Sequence, residues 1–247
     1  MADAPLAGQV ALITGGVRRI GRACALALAR DGADIVVHAR TARADAEAVA
    51  REAEALGRQA LVVMGDVVDE GAVEAMMAAI DARFGRLDIL INNAALRRES
   101  HFLEMSFAEW REITGVILDG AFLCSRAALR RMLPRGHGRI VSMGGLSAHL
   151  GAAGRAHVGA GKAGLIGLTR ALAVEFAPHG ITVNCVVPGK IGGQRSAGAG
   201  KGIAGAPLVG REGVPEDVSE IVRLLCNPAS SFVTGQSIHV NGGLFLP

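Results

Sequence analysis

A short apolar run that ends in glycines constrains this chain more than any other feature. Residues Val10–Ile13 have the continuous apolar character of a strand buried in a parallel sheet. Thr14, Gly15 and Gly16 interrupt the run, and an Ala- and Leu-rich helical pattern follows Gly21. This order forms an anion site, because backbone N–H groups point outward at the positive end of the helix dipole. Since glycine also lets a diphosphate approach the backbone, we predict a dinucleotide-binding site.

The rest of the chain alternates short apolar runs with helical patterns. This alternation predicts an α/β fold, a doubly wound parallel sheet with helices on both faces. We find no second domain, linker or long repeat, and therefore expect a single domain over residues 1–247. The net charge of +3 is too small to predict nucleic-acid binding, and no apolar run reaches transmembrane length.

The cysteines indicate a reducing compartment. Cys24, Cys124, Cys185 and Cys226 are far apart, lie in apolar segments and lack metal-ligand spacing. We therefore expect reduced core thiols, no metal site and a cytoplasmic protein. The first residues also lack the basic and apolar regions of a signal peptide.

The residues after the second predicted strand, at 35–38, indicate which nucleotide binds. An acidic residue at this strand end would accept the ribose hydroxyls of NAD, but Arg40 and Arg43 follow instead. Arg18 in the glycine loop adds a guanidinium, whose charge and planar geometry suit a 2′-phosphate. A single Arg in such a place is commonly a solvated surface charge. Two independent basic positions and the missing acid favour NADP over NAD.

The glycine loop T-G-x-x-x-R-I-G, at 14–21, resembles the T-G-x-x-x-G-x-G loop of the short-chain dehydrogenase/reductase family. Arg19 replaces the middle glycine, as it does in pteridine-reductase-like and some 3-oxoacyl-carrier-protein-reductase-like members. The resemblance extends over nearly the whole chain. It implies a nicotinamide cofactor and, as the family's default activity, reduction of a ketone or a 3-oxoacyl group.

The resemblance also implies which residues surround the cofactor. They belong to the glycine loop, the end of strand two, the D-V step after strand three, the N-N-A motif after strand four and the P-G step after strand six. In this sequence they are Gly15, Arg18, Arg19, Ile20, Gly21, Arg40, Asp66, Asn93, Ala94, Lys162, Pro188 and Gly189. Asp66 has a second interpretation, as the cap of a turn. Gly193 stands where the family has a carboxamide-binding Thr, and residues 192–205 correspond to the substrate lid.

The family's catalytic residues are mostly missing. The family has Tyr four residues before Lys on one helix, so that both side chains share a face. There the Tyr transfers the substrate proton, and the Lys lowers the pKa of that Tyr. Lys162 matches the lysine, but the sequence contains no Tyr, and Val158 stands in its place. Gly145 and Ile117 occupy the Ser and Asn positions. His157 is a candidate acid, although it lies about 100° around the helix from Val158.

Three hypotheses fit these residues. The first is an NADP-dependent reductase of a small-molecule or acyl substrate. The second is a catalytically silent relative that binds nucleotide as a sensor or as the partner of an active homologue. The third is an enzyme with different chemistry that uses Lys162 or His157. The absent Tyr favours the second or third. The resemblance also implies a homo-oligomer, a tetramer or dimer, through an apolar helix pair around Phe122 and Leu168 and the C-terminal I-H-V-N-G-G.

Overall fold

One parallel sheet organises the protein. A computed structural model describes residues 4–193 and 205–247, so most of the segment that we assigned to the lid lies outside the described residues. The strands are β1 (Val10–Ile13), β2 (Asp34–Ala39), β3 (Ala60–Met64), β4 (Ile89–Asn92), β5 (Gly138–Met143), β6 (Ile181–Pro188) and β7 (Ser237–Val240). In the described residues they pair in the order β3-β2-β1-β4-β5-β6-β7, and every pairing is parallel.

Helices cover both faces of this sheet. They are α1 (Arg19–Arg30), α2 (Arg43–Ala55), α3 (Glu70–Phe84), α4 (Phe107–Thr114), α5 (Gly120–Met132), α6 (Ser147–Leu150), α7 (Ala156–Phe176) and α8 (Pro215–Cys226). Helices α1, α2 and α8 pack on one face, and α3, α5 and α7 on the other. Within β1, Ala11 and Ile13 point to the first face, whereas Val10 and Leu12 point to the second. This arrangement confirms the predicted doubly wound α/β fold. The strands could be predicted from the sequence because strands that are buried on both faces have continuous apolar sequences.

The sheet order reverses at β1, which lies between β2 and β4. In open α/β sheets, ligands bind in the crevice outside the carboxyl ends of the strands at such a reversal. The glycine loop after β1 and the N-N-A turn after β4 therefore meet at the expected binding crevice. Among the described helices, none has the length and apolar character needed to cross a membrane.

One helix boundary differs from the sequence pattern. The helix after the glycine loop begins at Arg19, three residues earlier than the apolar periodicity indicated. Farther along the chain, a π-helical turn at Gly115–Asp119 joins α4 to α5. Gly120 permits this path, since a Cβ there would lie only 2.6 Å from Val67 Cγ2. Such π turns widen a helix locally and are frequent at functional sites.

Candidate functional site

Close backbone packing explains the glycines of the loop. Gly15 has a φ of 60°, and a Cβ added to it would lie 3.2 Å from Ala94 Cα. At Gly21 an added Cβ would lie 2.5 Å from the carbonyl oxygen of Gly15. A side chain at either position would push apart the loop, α1 and the turn after β4. The two glycines therefore let the backbone of all three segments line one crevice.

Arg19 occupies the family's middle glycine position with a left-handed backbone. Its φ of 49° is unusual for a residue with a Cβ and costs on the order of 1 kcal/mol or more. The Arg19 side chain extends across the crevice, where Nη2 donates hydrogen bonds to Ile191 O at 2.8 Å and Gly192 O at 3.1 Å. These bonds connect the glycine loop to the segment that follows β6.

The turn after β4 is held against the glycine loop by polar contacts. Thr14 Oγ1 accepts hydrogen bonds from the backbone N–H of Asn93 at 2.9 Å and of Ala94 at 3.0 Å. The Asn93 side chain donates through Nδ2 to Thr14 O and Gly15 O, both at 2.9 Å. Asn93 and Ala94 thus form a fixed wall of the crevice, close to the loop where the sequence predicted them.

His38, at the end of β2, supports the same loop and was missed by sequence reasoning. Its Nδ1 accepts a hydrogen bond from Gly15 N–H at 3.1 Å, and its Nε2 lies 3.0 Å from Gly65 O. Both bonds form together only when Nε2 carries the proton and Nδ1 does not. Burial lowers the pKa of His38, which favours this neutral form. The only sequence signal for this role was the presence of a His near the end of the strand that follows the glycine loop and its helix.

A cavity of about 300 Å³ extends along the crevice. It brings together nine of the predicted cofactor-binding residues, Gly15, Arg18, Arg19, Ile20, Gly21, Arg40, Asp66, Asn93 and Ala94. Arg40 Nη1 lies 3.4 Å from Asp66 Oδ2, and both side chains are partly exposed. Such an exposed pair is weak, so the guanidinium can exchange this partner for a bound anion. Arg43 does not line the cavity and instead lies 3.9 Å from Glu47 on α2.

A second cavity of about 80 Å³ adjoins the first, and Ile20 and Arg97 line both. We call it the lysine cavity, because Lys162 of α7 lines it and is almost fully buried. Lys162 Nζ donates a hydrogen bond to Met143 O. Burial, with a smaller contribution from the positive charge of Arg97, lowers the pKa of Lys162 to about 7. The ammonium is therefore close to losing its proton at neutral pH.

The three residues that the resemblance aligns with the family's Tyr, Ser and Asn are Val158, Gly145 and Ile117, and none of them carries a polar side chain. Val158 is buried one turn before Lys162 on α7 and lines the lysine cavity. A Cβ at Gly145 would lie 3.6 Å from Lys162 Cγ, an ordinary contact, so there is room there for a side chain. Ile117 of the π turn packs with Val158 in one apolar cluster. Among the described residues that line this cavity, Ser147 alone carries a hydroxyl.

His157 lies away from the lysine cavity. It is fully buried, and its Nδ1 accepts a hydrogen bond from Val158 N–H at 2.9 Å. Its Nε2 lies 3.6 Å from Glu109 Oε1 on α4. The offset from Val158 around α7 turns the imidazole toward α4, and His157 is not among the described residues that line the lysine cavity. A proton-transfer role for His157 stays a prediction.

The backbone at the end of β6 closes the far side of the lysine cavity. Pro188 and Gly189 both line it, and Gly189 N–H donates to Val240 O at 2.8 Å. A Cβ at Gly189 would lie 2.5 Å from Asn241 Cα, so only glycine fits against this strand end. Gly193 has a φ of 99° and lies near the Arg19 side chain. Among the described residues, no group of three or more His, Cys, Asp or Glu side chains could hold a metal ion.

Known proteins are similar to this chain over nearly its whole length. A family model described as enoyl-(acyl carrier protein) reductase matches residues 15–245. The 3-oxoacyl-[acyl-carrier-protein] reductase of Synechocystis sp. is 37% identical over 244 residues, which cover 98% of each chain. The FabG reductase of the same description from Escherichia coli K12 is 36% identical over 243 residues, 97% of this chain and 98% of that protein.

Two solved structures share the fold over nearly their whole length. Acetoin dehydrogenase YohF from Salmonella typhimurium superposes with a TM-score of 0.88 at 33% identity, covering 96% of this chain and 95% of its own. A putative short-chain alcohol dehydrogenase from Sinorhizobium meliloti 1021 gives a TM-score of 0.89 at 34% identity, covering 98% of both chains. By its glycine loop, its sheet and these relatives, the chain belongs to the short-chain dehydrogenase/reductase family.

Proposed function

We propose that this protein binds NADP(H) but does not carry out the Tyr-dependent carbonyl reduction of its family, and that it acts as a nucleotide sensor or as the partner of an active homologue. One observation carries the proposal. The cavity along the glycine loop keeps the expected binding groups, whereas Val158, Gly145 and Ile117 give the lysine cavity no proton relay.

The glycine-loop cavity fits a dinucleotide. A side chain at Gly15 or Gly21 would push apart the segments that line this cavity, so the two glycines let the N-terminus of α1 face a diphosphate in the crevice. Exposed Arg18 and Arg40 supply positive charge along the same cavity, and Asp66 is its acidic lining residue. In our proposal Arg40 leaves Asp66 and binds the 2′-phosphate of NADP(H), because a doubly charged phosphate attracts it more strongly than an exposed carboxylate.

Cofactor preference tests this half of the proposal. We expect calorimetric titration to show that NADPH binds more tightly than NADH. Arg40→Ala should weaken NADPH binding by roughly tenfold or more, since a hydrogen bond to a charged group contributes about 1.5–3 kcal/mol. NADH binding should change little in that variant. Arg43→Ala is the matched control, because Arg43 lies outside the cavity. Equal affinities for the two cofactors, or equal effects of the two substitutions, would contradict the assignment.

The chemistry of the lysine cavity argues against ordinary reduction. Bound NADPH would supply a hydride, which turns a ketone into an alkoxide that must be held and protonated. A positioned general acid contributes about 10² to 10⁴ in rate, and oxyanion donors roughly 10² to 10³. Val158 cannot donate a proton, and Gly145 provides no hydroxyl. Ile117 cannot anchor a water beside Lys162.

Turnover measured beside binding tests this second half. We expect NADPH to bind while its oxidation stays well below about 1 s⁻¹ with a ketone panel that includes 3-oxoacyl thioesters, the class named in the reductase relatives. Val158→Tyr alone should restore little activity, because groups that act as one unit are strongly non-additive. The triple variant with Gly145→Ser and Ile117→Asn should restore more. Wild-type turnover above about 1 s⁻¹ would refute the proposal.

One observation favours an enzyme with a different acid as the second candidate function. Lys162 has a pKa of about 7, which matches the working pH of a general acid or base. In this alternative the Lys162 ammonium itself protonates the substrate oxygen. Measurable wild-type turnover that disappears in Lys162→Met, with NADPH still bound, would select it over the silent sensor.

A further inference from the structure

Several basic side chains line the lysine cavity. Arg97, Arg155, Lys162 and Lys190 all line it, and no Asp or Glu does so among the described residues. Two of these cations have carboxylate partners that do not line the cavity. Arg155 Nη2 lies 2.8 Å from Glu99 Oε1, and Lys190 Nζ lies 3.2 Å from Glu212 Oε1. The carboxylates that pair with Arg155 and Lys190 therefore lie outside the lining of the cavity, whereas the basic side chains lie within it.

Burying the charged form of Lys162 costs free energy when no anion is bound beside it. Its ammonium is buried, and Met143 O offers it a carbonyl dipole rather than a negative charge. The repulsion between Arg97 and Lys162 adds to the burial penalty, as the lowered pKa of Lys162 reflects. An anion beside Lys162 would reverse both effects, because it attracts the two cations and gives the ammonium a charged acceptor.

We propose that the lysine cavity binds the oxyanion of a small molecule, a carboxylate or a phosphate, against Lys162 and Arg97. The proposal deepens the proposed function and rests on it, since the anion would bind beside the cofactor that Lys162, Pro188 and Gly189 are predicted to contact. A volume of about 80 Å³ admits a group of only a few heavy atoms. Val158, Ile20 and Leu146 form apolar walls, which suit a short carbon chain attached to the anion.

Titration of the nucleotide-free protein with matched probes tests the site. The probes are acetoacetate, its uncharged analogue acetoacetamide, and inorganic phosphate, each followed by calorimetry at constant ionic strength. We expect at least one of the two anions to saturate the site, and acetoacetamide to bind roughly tenfold more weakly than acetoacetate or not at all. Saturation by acetoacetate assigns a carboxylate ligand, and saturation by phosphate alone assigns a phosphorylated one.

Substitutions locate the binding. Lys162→Met should weaken the anion by roughly tenfold or more, and Arg97→Gln by about threefold or more, because its guanidinium is exposed to solvent. Arg98→Gln is the matched control, since Arg98 pairs with Glu112 at 3.1 Å and does not line the cavity. If Lys162→Met fails to fold, the comparison of Arg97→Gln with Arg98→Gln decides the question alone.

The outcomes separate this proposal from the proposed function. Absence of binding by both anions at millimolar concentration would overturn the anion site, as would equal affinity for acetoacetate and acetoacetamide. Equal weakening by Arg97→Gln and Arg98→Gln would overturn it too, because it would indicate a general surface field. A parallel NADPH titration is independent. NADPH binding without anion binding removes only the anion site, whereas anion binding without NADPH binding removes only the proposed function.

Discussion

At the scale of single residues, Lys162 shows how folding changes a side chain that the sequence identifies. Its position follows from the K-A-G-L pattern and from helical spacing. Its charge state does not, because burial and Arg97 determine it and the fold brings them together. Asn93 is similar, since its motif is visible in the sequence but its bonds to Thr14 O and Gly15 O require the finished sheet.

The pKa of Lys162 predicts a pH-dependent stability. The folded-state value of about 7 lies below the ordinary value of 10.5, so the unfolded chain binds more protons between those two pH values. Lys162 therefore lowers the free energy of unfolding below about pH 7, and this cost disappears as the pH rises toward 10.5. The wild-type free energy of unfolding minus that of Lys162→Met should rise with pH, by at most about 1.4 kcal/mol per pH unit. Urea unfolding from pH 6 to 10 measures the difference, and a flat difference would contradict the prediction.

At the scale of elements, three strand ends are connected through one imidazole. His38 belongs to β2, yet it contacts Gly15 after β1 and Gly65 after β3. The strands could be predicted from their apolar runs, since continuous hydrophobicity is a local signal. The contact could not, because the neighbours of β2 are set by long-range pairing that no local pattern encodes. The π turn at Gly115–Asp119 could not be predicted from the sequence either, because the apolar pattern on both sides of it remains helical.

His38 should therefore be neutral at neutral pH and important for stability. Nitrogen NMR shifts should identify the tautomer with its proton on Nε2. Because burial lowers its pKa, His38 stabilises the fold above the ordinary value of 6.5, and this contribution is lost as the pH falls below it. His38→Ala should lower the free energy of unfolding by about 1–3 kcal/mol, since Gly15 N–H loses its acceptor.

Exposed His101 provides the control for His38. The substitution His101→Ala should change the free energy of unfolding by less than about 0.5 kcal/mol. A protonated His38 imidazole at neutral pH, or equal stability of the two variants, would show that the imidazole does not hold the glycine loop.

At the scale of the whole molecule, the alternation of strands and helices was sufficient to predict the doubly wound fold. The order of the strands on each side of the reversal was not predicted, because it depends on which edges meet during folding. The lysine cavity was also beyond sequence reasoning. Arg97, Arg155 and Lys190 come from three separate segments, and nothing in the sequence relates them to Lys162.

The oligomeric state of the protein stays a prediction. We expect a homo-oligomer, a tetramer or dimer, because Phe122 on α5 and Val174 on α7 expose large apolar side chains. Sedimentation at micromolar concentration should show one species larger than the monomer, and Phe122→Glu should dissociate it. Leu56→Glu, at the end of α2, is the control and should leave the assembly intact. A wild-type protein that sediments only as a monomer would rule the prediction out.

The wall shared by the two cavities has a thermodynamic consequence. Ile20 and Arg97 line both, so a ligand on one side changes the surroundings of a ligand on the other. Linkage makes such an influence mutual: whatever factor one ligand applies to the affinity of its neighbour, the neighbour returns the same factor. Two anionic ligands, one in each cavity, would compete for the Arg97 guanidinium. If the ligand in one cavity is uncharged, the guanidinium remains available to the anion in the other cavity. If both proposed ligands bind, their charges should set the sign of the coupling between the two cavities, with Arg97 as the charged residue that transmits it.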